Sequence, residues 1–397
     1  VPGGANTEVQ FNDNGTFGVS PGFLFDKYQV SLNLGNANNI TQSQYANVIG
    51  GHNNIIYSSF TSNIIGGFAN KIVGNQSCYN GGGSSSIIGG AQGYIFNSFG
   101  SSVIGGSVNC INNSKKSVIL GGHYNYINDY SVSSAIIGSV FNSMSGVTLS
   151  SIISSSSSIM SGGTAFSTIL GSSCAKIADN TMWSNIIGGF YNVIGAESCG
   201  SSIMGGTCNE VVLGSCGSSI MGGTCNTICY GTCGSSVLGG EGAIIGYRSN
   251  GSSVVGGYYS RLLNQSRFST IAGGAYNTIS GNSLYSSIIG GQYNRIYSQL
   301  HNATIIASFD SEINNSSCHS LILGGQSNII DSSCRSAIIG GLDLMLSATT
   351  DTVLVPNLQV YSSIATLSGG TMISGVTGNI SATSTLQVVN GIIVGFV

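Results

Sequence analysis

Eleven cysteines, four histidines and one close pair of carboxylates are the residues here whose types and spacing suggest chemistry. Cys225, Cys229 and Cys233 recur at every fourth position, a spacing that invites a metal. Zinc, however, prefers closed sets of Cys and His, and no histidine lies near these three. His52 and His123 share a column but lie more than four coils apart and cannot share one ion, and with His301 and His319 they read as surface residues. Asp310 and Glu312 are two apart, which places both carboxylates on one face of a strand. Glycosidases hold two carboxyls about 5 to 9 Å apart, but this pair has no aromatic platform beside it and reads as a solvated edge. No catalytic residue, metal or cofactor is expected, and the chain reads as non-enzymatic.

The cysteines acquire meaning from a register they share. Cys199, Cys216, Cys233, Cys318 and Cys334 each fall six residues before the first glycine of a recurring Gly-Gly corner or its degenerate form. Cys174, Cys208 and Cys225 fall three residues after one. Stacked coils would set Cys over Cys at about 4.8 Å, within reach of a disulfide. A ladder of free thiols and a set of disulfides both fit that spacing, while Cys78, Cys110 and Cys229 fall outside the two columns.

The corner recurs from Gly50 to Gly340 at intervals of 16 or 17 residues, with one longer step of 23. Two residues before it every coil has Ile or Val, as in Val48, Ile64, Ile87, Ile203 and Ile220, and six after it stands another apolar residue, as in Ile279 and Ile296. These two columns are the expected coil core. Four after it, Asn dominates, as in Asn192, Asn209, Asn226, Asn277 and Asn294, an expected ladder. A period this short excludes the helix-pair repeats, which exceed thirty residues. It fits one turn of a parallel β-solenoid with two short strands, one ending in the aliphatic doublet and the other starting near the Asn.

Composition agrees. The 397 residues include 61 glycines, three prolines and only 23 charged side chains, with net charge −3. Collagen needs glycine at every third position, coiled coils need charged flanks, and nucleic-acid binding needs a basic cluster; none is present. No apolar run is long enough for a membrane-spanning helix. The expected organisation is an N-terminal capping or attachment segment over 1–40 and about 18 coils over 41–346, then a C-terminal capping or connecting segment over 347–397. The long step places an insertion at about 74–86, and this loop and the Tyr-rich corners are the binding candidates.

One column resists burial inside a single chain. The residue just before the corner glycine is bulky and aliphatic, and alternation along a strand points it away from the core. Ile49, Ile65, Ile88, Ile104, Leu120, Ile187, Met204, Met221, Leu238, Ile289, Leu323 and Ile339 would form an outward stripe along the rod. A stripe that large is normally covered by a partner, and a second copy of the chain is the expected one.

Units such as Ser269-Thr270-Ile271-Ala272-Gly273-Gly274-Ala275-Tyr276-Asn277-Thr278-Ile279 resemble the head repeats of trimeric autotransporter adhesins, whose relatives recur in bacteriophage and other viral fibres. The resemblance implies a parallel homotrimer of left-handed β-rolls. The segments Gly3 to Asp26 and Asp351 to Leu358 are similar to segments of phage tail-fibre and structural proteins. Together these imply a structural and adhesive fibre on a virion or outside a cell. Its partners would be its own copies, other fibre proteins at the termini and a host glycan or protein, with neither nucleic acid nor membrane insertion. A bacterial adhesin head, an ice-binding solenoid and a head-to-tail extracellular filament are the alternatives.

Overall fold

The computed structural model describes residues 8–74 and 83–356, and beyond these the strands Ala365–Ser368, Thr371–Ser374, Leu386–Val389 and Ile392–Phe396. The chain winds as a parallel β-solenoid, and no helix occurs among the described residues. The doublet strands stack in register, Ser202-Ile203-Met204 on Ser219-Ile220-Met221 and so along the rod. The asparagine strands form a second ladder, for example Glu210-Val211 on Thr227-Ile228.

Two strands per coil is only half of the circuit. Two further sides, each a single bridging residue, close it. One lies two residues after the corner glycine, as in Phe190 to Thr207 to Thr224, and the other six before it, as in Thr148 to Ala165 to Met182. Each coil is therefore four-sided. Extended chain cannot turn that sharply, so each corner has a residue in the left-handed region: Gly205 (φ 76°), Cys208 (55°), Gly214 (68°) and Gly217 (64°) in one coil.

The coil interior is half polar for a physical reason. A residue following a corner turns its N–H along the rod axis, where a buried donor needs an acceptor. At three of the corners a side chain from the preceding coil supplies it. Asn209 Oδ1 accepts from Asn226 N–H at 3.1 Å. Ser201 Oγ accepts from Ser218 N–H at 3.2 Å, and Ser198 Oγ from Ser215 N–H at 3.1 Å. The apolar share is the two expected columns: Val48, Ile64, Ile87, Ile203, Ile220, Ile279 and Ile296 are all fully buried.

The asparagine amides work differently from a simple amide-on-amide stack. Nδ2 of Asn209 donates to the carbonyls of Gly205 and Gly223, at 3.3 and 3.1 Å, and Asn192, Asn226, Asn277 and Asn328 repeat the arrangement. Direct amide-to-amide bonds occur at Asn125 and Asn142. Asn294 donates to the carbonyl of Ser308 at 2.7 Å. The two glycines of the corner are thus glycine for different reasons. The first meets nothing with an added Cβ and needs only its positive φ, so Ser154 and Ala307 are tolerated there. A Cβ on the second, Gly206 for instance, would overlap Asn209 Nδ2 and the Gly223 carbonyl. Ser replaces that second glycine at Ser139, Ser155, Ser172 and Ser308; at the last three the Asn is also gone, leaving Ser158, Ala175 and Ser311, whereas Asn142 remains beside Ser139.

The ends are built differently. Glu8–Asp13 and Thr16–Asp26 form an antiparallel hairpin across an Asn14-Gly15 turn, with φ of 50° and 87°. Its second strand pairs antiparallel with Ser31–Asn36, which pairs parallel with Asn47–His52. Ser31–Asn36 begins a coil beyond the eighteen read from the sequence, making nineteen asparagine-ladder strands from Asn39–Thr41 to Met345–Ser347. That coil has Asn33 where the others have Ile or Val. The last doublet strand, Val353–Leu354, pairs with Ala337–Ile338. Most of the insertion around 74–86 lies outside the described residues, as does Cys78.

Candidate functional site

In-register stacking turns the second residue of the doublet into a continuous ridge. Ile187, Met204, Met221 and Leu238 are consecutive rungs. Ile49, Ile65, Ile88, Leu120, Ile289, Leu323 and Ile339 belong to the same outward column, each about two-fifths exposed in the single chain, and Ile104 is half-buried. Ala272 is the one small residue in it. The other outward column of this face, three residues before the corner glycine, is mostly Ser, Thr, Asn and Ala, as in Asn185, Ser202, Ser219 and Thr270. Between Asn47 and Ile339 neither outward column contains a charged residue. The stripe was legible in the sequence; the missing charge across a whole face was not, because it depends on knowing which side each column occupies.

The asparagine-strand face lies across the coil and is unlike it. Lys71, Lys176, Glu210, Arg261, Arg295 and Glu312 share its first outward column. No two like charges occupy neighbouring rungs there, and Arg295 sits directly on Glu312. Like charges at rung spacing repel, which limits how many such a column carries.

The expected carboxylate pair does not assemble. Asp310 is not on the strand: it occupies a left-handed corner (φ 49°), half-exposed and 3.9 Å from Arg295. Glu312 begins the strand and accepts hydrogen bonds from Tyr297 and Asn314. Burial, then the hydrogen bond to Glu312, raises the Tyr297 phenol. The histidines are surface residues with local partners: His52 stacks on Phe68 at 5.8 Å, and His319 lies 3.2 Å from Asn302. No group of three metal-ligating side chains occurs among the described residues.

The tyrosine corners make rows rather than platforms. Tyr259, Tyr276 and Tyr293 stack face to face, with ring centroids 5.8 and 5.1 Å apart and planes within 8°. Stacking covers both faces of Tyr276 and one face each of Tyr259 and Tyr293, whereas a sugar platform needs an open face.

The cysteine columns occupy two sides of the coil. Cys334 Sγ accepts the N–H of Cys318 at 3.4 Å and donates to the Ser316 carbonyl at 2.9 Å. Cys216 repeats this on Cys199 and donates to the Glu197 carbonyl at 3.2 Å. Asn250 Oδ1 fills the same role for Cys233 N–H, at 2.9 Å, so this column selects an acceptor atom rather than sulfur as such. Cys208 and Cys225 stack at left-handed corners, with thiol against thiol. Burial pushes the Cys110 thiol up to about 11, and it also raises that of Cys229.

No protein-family model matches the chain, and no curated protein matches it. Among solved structures the chain matches a candidate acetyltransferase from Desulfovibrio desulfuricans G20 at 12% identity, over 65% of this chain and 66% of that one. The TM-score is 0.15, and a likeness that low carries no argument about fold or chemistry.

Proposed function

We propose that the chain is a non-enzymatic fibre protein, a homotrimeric β-solenoid shaft or head of a virus or bacteriophage, displayed on the virion surface for host attachment. The observation that supports this most is the uncharged aliphatic face running from Asn47 to Ile339. An exposed apolar strip of that length is an association surface, and a repeating surface is best matched by another copy with the same repeat. The number three and the left-handed winding come from the resemblance of the repeat to adhesin heads and viral fibres. Attachment would be multivalent, each weak contact strengthened by its neighbours on the other two chains.

Sedimentation equilibrium of the purified protein tests the assembly. The expected mass is three times the 40.4 kDa of the chain, and a species of 40.4 kDa at micromolar concentration would remove the proposal. Binding of the assembled fibre to a panel of host-surface glycans and proteins tests attachment; loss of that binding on monomerisation is the expected result.

A further inference from the structure

Cysteines in successive coils form two kinds of group, pairs at Cys208–Cys225 and Cys318–Cys334 and a run of three at Cys199–Cys216–Cys233. We propose that these columns are a redox modification site, at which disulfides form between successive coils of one chain: Cys208 with Cys225, Cys318 with Cys334, and Cys216 with either Cys199 or Cys233. The inference does not depend on the trimer.

The geometry favours each pair. In-register rungs put Cα atoms about 4.8 Å apart, inside the span of about 4.4 to 6.8 Å that a disulfide accepts. Within a pair the later sulfur already points back along the rod at the earlier residue. Cys334 Sγ lies 3.4 Å from Cys318 N, Cys216 Sγ takes the Cys199 N–H, and the Cys225 and Cys208 thiols touch. Oxidation gives up weak hydrogen bonds that sulfur accepts and the thiol-donated ones, from Cys334 to the Ser316 carbonyl and from Cys216 to the Glu197 carbonyl. The remaining described cysteines are internal controls. Cys110 is stacked between Tyr94 and Tyr126 on an ordinary rung, and Cys174 and Cys229 have no cysteine in the same column of either adjoining coil.

With a small-molecule disulfide such as oxidised glutathione as oxidant, the balance is complete. One cysteine, as thiolate, attacks the oxidant's S–S bond, forms a mixed disulfide and expels one glutathione thiolate. The neighbouring cysteine, also deprotonated, attacks the protein-side sulfur and expels the second. Two protein thiols lose two protons and two electrons, and the oxidant becomes two thiols on reprotonation. The run of three has a further property: Cys216 is the one member within reach of both others, so a third sulfur always stands beside the bond as an exchange partner.

The test is thiol counting and non-reducing peptide mapping of the folded full chain after equilibration with oxidised glutathione. Three disulfides consume six of the eleven thiols and leave five, with linked peptides for Cys208–Cys225, Cys318–Cys334 and Cys216 with a neighbour. In Cys216→Ser the remaining members of the run are two coils apart, so only four thiols are consumed, whereas Cys199→Ser still loses six. A chain that keeps all eleven thiols, or whose cross-links join only different chains, overturns the proposal. Equal losses in Cys216→Ser and Cys199→Ser overturn the assignment of the run.

Discussion

The two strand-bearing faces of each coil contribute equivalently to the interior and oppositely to the exterior. Inside, Ile203 of the doublet strand and Val211 of the asparagine strand are both fully buried. Outside, the doublet face carries Met204, Met221 and Leu238 with no charge, while the other carries Lys176, Glu210 and Arg261. Folding of one chain needs only the shared interior. The difference outside therefore reports something other than folding, and association is the reading that accounts for it. The scarcity of charge also gains a location: it is complete on one face and partial on the others.

The sharpest way to break the comparison is to charge one face at a time. Replacing Ile187, Met204 and Met221 together by Asp is expected to convert the assembly to monomers, because an unpaired charge in a closed interface costs about 3 to 5 kcal/mol. The matching change at Val193, Glu210 and Thr227, all to Lys, is expected to leave the sedimenting mass unaltered. Inside, the faces should respond alike: Ile220→Ala and Ile228→Ala each remove a fully buried side chain and should each cost about 2 to 5 kcal/mol, read from urea unfolding. At the corner joining the doublet strand to the next side, Gly206→Ala should destabilise well beyond Gly205→Ala. The latter faces only the left-handed strain of about 1 to 2 kcal/mol, since its Cβ would meet nothing. Ser260 interrupts the asparagine column and its buried hydroxyl has no partner. Ser260→Asn should therefore add about 1 kcal/mol of stability, read as a higher urea midpoint.

The smallest effect expected is at the last coil, where Arg335 holds Asp351 in a two-pronged pair at 2.6 and 2.8 Å. The Arg335 hydrogen bonds hold that carboxyl below its ordinary range. A depressed carboxylate contributes stability above its unfolded value of about 3.9, and the contribution is lost as pH falls through the lower folded value. Protection of the Val353 and Leu354 amides from exchange, taken relative to their intrinsic rates, should therefore fall only in strong acid, and Asp351→Asn should abolish that dependence.

Much of this was legible because a 17-residue period repeats its evidence. The columns headed by Val48 and Ile49 keep the phase even where the corner glycine and the Asn are both lost, in the coils of Ser154 and Ala307. The four-sided coil was not legible. Its corners accept Tyr191, Cys208, Glu197 and Trp183 as readily as glycine, so no residue type marks them. The coil beginning at Ser31 escaped for the opposite reason, since Asn33 stands in the column that defines the others. The shared strand face expected of Asp310 and Glu312 failed because Asp310 occupies the corner before the strand that Glu312 begins, which their spacing does not reveal.

The central claim is that the doublet face is covered by other copies, and its methionines test this without altering the chain. Met144 and Met160 are fully buried in the coil, Met345 lies on the asparagine-strand face at 56% exposure, and Met204 and Met221 stand on the stripe at 43% and 39%. Brief peroxide treatment of the native protein, followed by peptide mass spectrometry, reads sulfoxide at each site. The account predicts that Met345 oxidises while Met204 and Met221 stay as protected as Met144 and Met160. Oxidation of Met204 and Met221 at the rate of Met345 would contradict it.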